Sequence, residues 1–368
     1  MSHTADDRDD KLPWDAPGPG APVGERLVAP TASSGDDEQV NTALRPRGLD
    51  EFVGQDIQRR RLDIALQAAR QRREPLDHLL LSGPPGLGKT TLAHIVSYEL
   101  GGKLVSTSGP ALEKAADLMG MLTRLDHGDV FFVDEVHRLQ RGIAEYIYPA
   151  MEDFTIDFVL DKGPYAEAVR IPIKPFTLVG ATTRKGLLPP PLRDRFGLNF
   201  ELDFYSVQDL TLIVRRSAGL LGVQLDAAAA EEIARRARGT PRIANRLLRR
   251  VRDFAQVHEV APVGVSLVVE ALELEGVDAL GLDDLDRRYL ETLIGHYEGR
   301  PAGLSALAAA MQQEMDTLED VVEPYLLYER FILRTPSGRQ CTPKAYAHLG
   351  RKPPGRGSAQ QPLPLDEN

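Results

Sequence analysis

Nine consecutive residues constrain this chain more than any others: Gly83-Pro84-Pro85-Gly86-Leu87-Gly88-Lys89-Thr90-Thr91. They fill the pattern G-x-x-x-x-G-K-[ST]. On one side stands an apolar run, His78-Leu79-Leu80-Leu81-Ser82, and on the other an amphipathic stretch carrying Leu92, Ile95, Val96 and Leu100. A strand, a glycine-rich turn and a helix in that order make a cradle for phosphate. The glycines let backbone N–H groups curl around a β-phosphate, and the start of the helix adds partial positive charge. Lys89 then reaches the β/γ oxygens of a nucleoside triphosphate, and Thr90 offers its hydroxyl to Mg²⁺. Gly86, Gly88, Lys89, Thr90 and Thr91 are therefore binding candidates, with ATP and Mg²⁺ as the expected cofactors.

The flanking pattern sets the fold class. Between residues 44 and 203 short apolar runs alternate with amphipathic stretches, which predicts βαβ units and an α/β domain built on a parallel sheet. Besides 78–82, the runs Asp129-Val130-Phe131-Phe132-Val133 and Phe176-Thr177-Leu178-Val179-Gly180 read as buried strands. Each has polar residues at its C-terminal end, where open α/β sheets place ligands. Residues 204–275 read as a small helical domain. Over 276–352 short helical patterns lead to Phe331-Ile332-Leu333 and the turn signal Pro336-Ser337-Gly338, which predicts a winged helix.

The second of these strands runs on into Asp134 and Glu135. Two adjacent carboxylates at the end of a buried strand are costly unless a metal or a catalytic water uses them. Asp134 is thus the expected Mg²⁺ partner and Glu135 the base that polarises an attacking water. The third strand leads to Gly180-Ala181-Thr182-Thr183-Arg184, where Thr182 or Thr183 is placed to sense a γ-phosphate. In Pro191-Leu192-Arg193-Asp194-Arg195-Phe196, Arg193 reads as a structural ion pair. Arg195 reads as a finger of the kind that ring-forming ATPases insert into a neighbour's site. Residues 233–252 hold eight arginines and no acid, a pattern that usually means a solvated basic face. Acids of an adjacent subunit and a phosphate backbone are the other partners open to it. Arg242 stands apart, because it opens a helix after Gly239-Thr240-Pro241 and points back toward a nucleotide.

Composition closes several doors. One cysteine in 368 residues, Cys341, excludes an internal disulfide framework, a cysteine zinc site and an iron–sulfur cluster. No apolar run reaches the roughly 18 residues of a membrane span, and the polar, acidic N-terminus is unlike a secretory signal. A reducing, cytoplasmic setting is expected. The net charge of −10 argues against a nucleic-acid binder, until its distribution is considered. Residues 1–43 hold nine acids against three bases, so −6 of the total lies in what reads as a disordered leader. Residues 353–368 read as a disordered tail. Between 330 and 352 there are Arg330, Arg334, Arg339, Lys344, Arg351 and Lys352 and no acid.

Taken in order, with Leu44-Arg45-Pro46-Arg47 and Phe52-Val53-Gly54-Gln55 ahead of the loop, these strings closely resemble the RuvB family. Its members are bacterial motors that drive branch migration of Holliday junctions. The resemblance runs from about residue 44 to 350 and includes Thr107-Ser108-Gly109-Pro110, Asp134-Glu135-Val136-His137-Arg138-Leu139 and Tyr148-Pro149-Ala150-Met151-Glu152-Asp153-Phe154. It implies an AAA+ P-loop NTPase large domain, a helical lid and a C-terminal winged helix. It further implies a homo-hexamer on duplex DNA, working with RuvA at the junction and with the resolvase RuvC. By the same resemblance Leu44 and Arg45 lie by the adenine and Tyr205 packs near the nucleotide. Arg242 is a second sensor, Glu152, Asp153 and Phe154 lie at the site across the subunit contact, and Arg334 and Arg339 contact DNA. The hairpin expected after Phe154 would offer Ile156, Phe158 and Leu160 to RuvA. A clamp-loader subunit of the same superfamily is the rival, and the C-terminal wing speaks against it.

Overall fold

The computed structural model describes residues 42–159 and 168–353. The expectations for the leader, for the tail and for Leu160 lie outside the described residues, as does the side chain of Phe158. Helix α1 (Asp56–Arg72) leads into β1 (Leu79–Ser82), α2 (Lys89–Leu100), β2 (Leu104–Ser108), α3 (Ala115–Leu122) and β3 (Val130–Asp134). Then come α4 (Arg141–Glu152), the hairpin β4 (Thr155–Val159) and β5 (Ala168–Pro172), β6 (Thr177–Thr182), α5 (Pro190–Arg193) and β7 (Leu198–Glu201).

The five main strands form a parallel sheet in the order β2-β3-β6-β1-β7. The central strands are near-continuous apolar runs because both faces are covered. Leu79 and Leu81 of β1 join one core with Leu92, Ile95 and Val96 of α2. Leu80 turns the other way, into a core with Phe131, Val133 and Ile143, Ile147 and Met151 of α4. Strands β2 and β7 escaped the sequence reading because they are edge strands, only part-buried and without an unbroken apolar run. The order sets β1, β6 and β3 side by side, so the loops leaving their C-terminal ends meet at one rim.

Four helices make the lid: α6 (Val207–Leu220), α7 (Ala227–Arg236), α8 (Pro241–Val257) and α9 (Val265–Leu274). Their buried residues, among them Leu210, Ile233, Leu247 and Val268, continue the core that covers one face of the sheet. The C-terminal domain has a separate core around Tyr289, Leu307, Leu326 and Phe331. It comprises α10 (Asp284–Glu291), α11 (Leu304–Met311), α12 (Met315–Thr317), a π-helical turn (Leu318–Val322), α13 (Glu323–Tyr328), the wing β8 (Ile332–Thr335) and β9 (Gly338–Cys341), and α14 (Pro343–His348). Gly338, at φ 132°, lies where a Cβ would press against the Ala302 carbonyl. That close approach lets Ala302 and Arg339 exchange two backbone hydrogen bonds of 2.9 and 2.8 Å.

Two expectations are corrected by the packing. The arginine run is not a solvated face, because Arg236, Arg238, Arg246 and Arg249 are buried. Partners come from the same chain: Glu232 meets Arg236 at 2.8 Å, and Asp286 of the C-terminal domain meets Arg238 at 2.7 Å. In the hairpin, Ile156 is 1% exposed and belongs to the large-domain core, so it is not part of a partner face. On β5 Val169 and Ile171 are exposed, which gives the hairpin an apolar surface there. Ile171 is in register with Ile156, and Val169 with Phe158. Ile156 stands one residue into the hairpin from α4, which drops it onto the core, while its cross-strand neighbours reach beyond that cover.

Candidate functional site

The loop Gly83–Thr90 carries the backbone that a phosphate cradle needs. Gly83, Gly86 and Gly88 have φ values of 140°, 82° and 99°, a region open to glycine and costly for other residues. At Gly83 there is no alternative, since a Cβ would sit 2.5 Å from the Leu202 carbonyl oxygen. Helix α2 begins at Lys89, so its first free N–H groups open onto the loop. Lys89 is 8% exposed, and its Nζ donates to the carbonyls of Gly83 and Pro84 at 2.8 Å each. Burial draws its ammonium down to about 8, against the pull of Asp134 and with the help of Arg242. A buried cation flanked by N–H donors is a fit for the anionic oxygens of a nucleoside triphosphate.

Asp134 ends β3 beside this loop, and its Oδ1 accepts the Glu135 N–H at 2.8 Å. Glu135 is a non-glycine residue at φ 48°, a conformation costing roughly 1 kcal/mol. The Arg138 N–H donates to its carbonyl at 2.8 Å, and its carboxylate pairs with Arg138 at 3.1 Å. Gly109 fits against the same carbonyl, where a Cβ would come within 2.5 Å. Such held strain is found where a side chain must be aimed. Among the described residues no group of three or more His, Cys, Asp or Glu is gathered to hold a metal. A divalent ion here would rest on Asp134, the Thr90 hydroxyl and phosphate oxygens, the usual sparse protein set for Mg²⁺.

At the end of β6, Thr182 is buried and its hydroxyl is taken up, bonding His137 Nδ1 at 3.0 Å and accepting the Arg184 N–H at 3.0 Å. Burial keeps His137 below the ordinary histidine range, with Glu135 opposing. Thr183, by contrast, is half-buried at the rim. Sequence reasoning passed over His137, although it sits in the same short string as the two acids.

The adenine-side candidates tie three elements together. Leu44 is buried and its carbonyl accepts from Arg216 of α6 at 2.8 Å. Arg45 Nη1 lies 3.0 Å from His94 Nε2 of α2. Tyr205 is buried against Gly54, and its hydroxyl donates to the Leu87 carbonyl at 3.2 Å. Arg242, second residue of α8, acts electrostatically on Lys89 from the lid.

A second group gathers elsewhere. Arg195 Nη2 is 3.0 Å from Glu152 Oε1, its Nη1 donates to the Pro191 carbonyl at 2.7 Å, and its guanidinium lies 4.6 Å over the Tyr148 ring. Its Nε is buried without a hydrogen-bond partner among the described residues. Asp153 caps α4, and Phe154, at φ 52°, packs edge-on against His78 and Phe176. Glu152, Asp153, Phe154 and Arg195 thus share one neighbourhood. Arg193 pairs with Asp194 at 3.6 Å.

In the wing, Arg334 and Arg339 are cross-strand partners, but neither is an unattached guanidinium. Both converge on Glu323, which is 0% exposed: Arg334 Nη2 at 2.6 Å and Arg339 Nε at 2.8 Å. Tyr289 donates its hydroxyl to the same carboxylate at 2.8 Å. Lys344 likewise pairs with Glu329 at 2.6 Å. The acid-free window of 330–352 therefore begins one residue past an acid that the fold uses, and a wider count would have shown it.

Residues 44–202 match the family model described as the Holliday junction DNA helicase RuvB P-loop domain. Residues 205–278 match the RuvB AAA lid domain, and residues 279–350 the RuvB C-terminal winged helix domain. The chain is 58% identical over 308 residues to the Holliday junction branch migration complex subunit RuvB of Desulfosudis oleivorans, covering 84% of this chain and 90% of that protein. The solved structure of the Thermotoga maritima RuvB Holliday junction branch migration motor superimposes with a TM-score of 0.78 at 51% identity, over 85% of this chain and all of that one. A mutant of the Thermotoga protein gives 0.80 at 51% identity, over 84% and 99% of the two chains. With its AAA+ sheet, lid and winged helix each matched in turn, the chain belongs to the RuvB family of Holliday junction DNA helicases, which are ATPases.

Proposed function

We propose that the protein is an ATP-driven DNA motor for branch migration of Holliday junctions in recombination and repair. It would act as a homo-hexameric ring on duplex DNA, with RuvA holding the junction and RuvC as the resolvase of the same assembly. The observation that carries the reading is Lys89, buried in the glycine loop under the joint influence of Asp134 and of Arg242 from the lid. Phosphates seated there touch the large domain and the lid at once, so the two can respond to hydrolysis together.

The roles follow from position. Lys89 and the N–H groups of Gly86, Gly88, Thr90 and Thr91 hold the phosphates. Thr90 and Asp134 hold Mg²⁺, which when bound neutralises charge on the phosphates. Glu135 orients the attacking water and takes its proton, and Thr183 contacts the γ-phosphate. Leu44, Arg45 and Tyr205 line the base side, and Arg242 reads the phosphates from the lid. Arg195, with Glu152, Asp153 and Phe154 beside it, serves the neighbouring subunit's site. Arg334 is the outer wing contact to DNA and Arg339 the inner one. Val169 and Ile171 present the face for RuvA.

The test is ATP hydrolysis and four-way-junction unwinding by the full chain, with and without RuvA. Hydrolysis stimulated by DNA, together with junction unwinding that needs RuvA, is expected. Steady hydrolysis indifferent to both would sink the motor reading.

A further inference from the structure

An acidic helical stretch, Met315–Tyr328, joins Arg184 of the large domain to the arginine pair of the wing. At one end is Arg184, the residue after Thr182 and Thr183 on the loop leaving β6. Its guanidinium is clasped by three carboxylates of the C-terminal domain. Nη2 lies 3.0 Å from Asp316, 3.5 Å from Glu319 and 2.7 Å from Asp320, and Nε donates to Asp320 at 2.9 Å. At the other end Glu323 holds Arg334 and Arg339. Glu319 stands between the two, 3.5 Å from Arg184 and 3.9 Å from Arg334. Glu319 and Asp320 lie within the π-helical turn Leu318–Val322, a wide turn that recurs at functional positions.

On the large-domain side the contacts continue. The Arg184 N–H donates to Thr182 Oγ1, which bonds His137 two residues beyond Glu135. An unbroken set of contacts therefore runs from the hydrolysis site through Arg184 and Glu319 to Arg334, the more exposed wing arginine. Arg184 and Arg334 thus contact the two oxygens of one carboxylate, Oε2 and Oε1 of Glu319.

We infer that Arg184 is a positioning residue through which occupancy of the wing by a phosphate backbone is felt at the hydrolysis site. A phosphate that draws Arg334 from Glu319 leaves that carboxylate to Arg184. The shift reaches Thr182 and His137 through the Arg184 N–H. This rests on the DNA-motor reading above. A static interdomain staple would hold the domains together without passing anything on.

The experiment compares ATP hydrolysis by the full chain with and without duplex DNA for the unaltered protein, Glu319→Gln, Arg184→Lys, Arg184→Ala and the double variant Arg184→Ala/Glu319→Gln. Glu319→Gln keeps its basal kcat and KM but loses most of the stimulation by DNA. Arg184→Ala lowers kcat about ten-fold, the ordinary size of coupling between sites, with KM for ATP unchanged, and Arg184→Lys recovers part of it. The double variant is no worse than Arg184→Ala alone. Undiminished stimulation in Glu319→Gln, or additive losses in the double variant, overturns the inference. If the unaltered protein itself ignores DNA, the motor reading fails first and this inference falls with it.

Discussion

Arg195 and Glu152 form a 3.0 Å ion pair within one chain, at the end of α4 and away from the contacts of Lys89. On the proposed reading this pair holds the arginine ready for a neighbouring subunit's site. Arg195→Ala should keep ATP binding and lose hydrolysis by about 10³-fold or more. Mixing Arg195→Ala subunits with Lys89→Ala subunits should restore part of the activity, since some contacts then pair an intact loop with an intact finger. An ATPase assay over mixing ratios decides it, and no recovery at any ratio would place the finger in its own subunit's site.

Lys89 gives a pH dependence whose sign is fixed. Its folded pKa, drawn down to about 8 by burial, means that the nucleotide-free protein loses the cation as pH rises through that value. Above it phosphate binding loses its main charge partner, so kcat/KM for ATP should fall with an apparent pKa near 8. Folding responds in the opposite sense. Between about 8 and the ordinary lysine value the unfolded chain binds the extra proton, so this group adds stability as pH rises. A kcat/KM profile level through pH 9 would contradict the assignment.

The wing arginines should separate by burial. Arg334 is 46% exposed at its side chain and Arg339 only 18%. Arg334→Ala is expected to weaken duplex binding and lower the salt slope by about 1, with little loss of stability. Glu323→Ala leaves two guanidiniums without their shared carboxylate, and should destabilise by about 3 kcal/mol, the low end for a broken buried pair because Arg334 is half in water. Binding titrations across salt and thermal melts read the two effects apart.

On the hairpin, Ile156→Ala should cost about 2–5 kcal/mol as a core truncation. Ile171→Asp should leave stability intact and abolish capture of RuvA in a pull-down. Normal capture by Ile171→Asp would remove β5 from the partner face.

Three strands, the glycine loop, Asp134 with Glu135 and the order of domains were legible in the sequence, because each depends on local patterning. A buried parallel strand is a short apolar run whatever surrounds it, and a cradle is made by the backbone of its own residues. Edge strands β2 and β7 were not legible, since pairing along one side requires no unbroken apolar run. The winged helix was legible as helices and a turn, while its third-strand contact between Ala302 and Arg339 was not.

The sequence alone determined that this chain holds a triphosphate on a parallel sheet, and which strings it shares with its family. Tertiary structure decided what the charged and apolar residues outside that loop are for. Glu323 neutralises arginines 11 and 16 residues away, Asp286 meets Arg238 48 residues away, and Arg184 finds Asp320 136 residues away. Charge and burial are settled by distance in space, and one-dimensional spacing carries that information only within a strand, a turn or a helix.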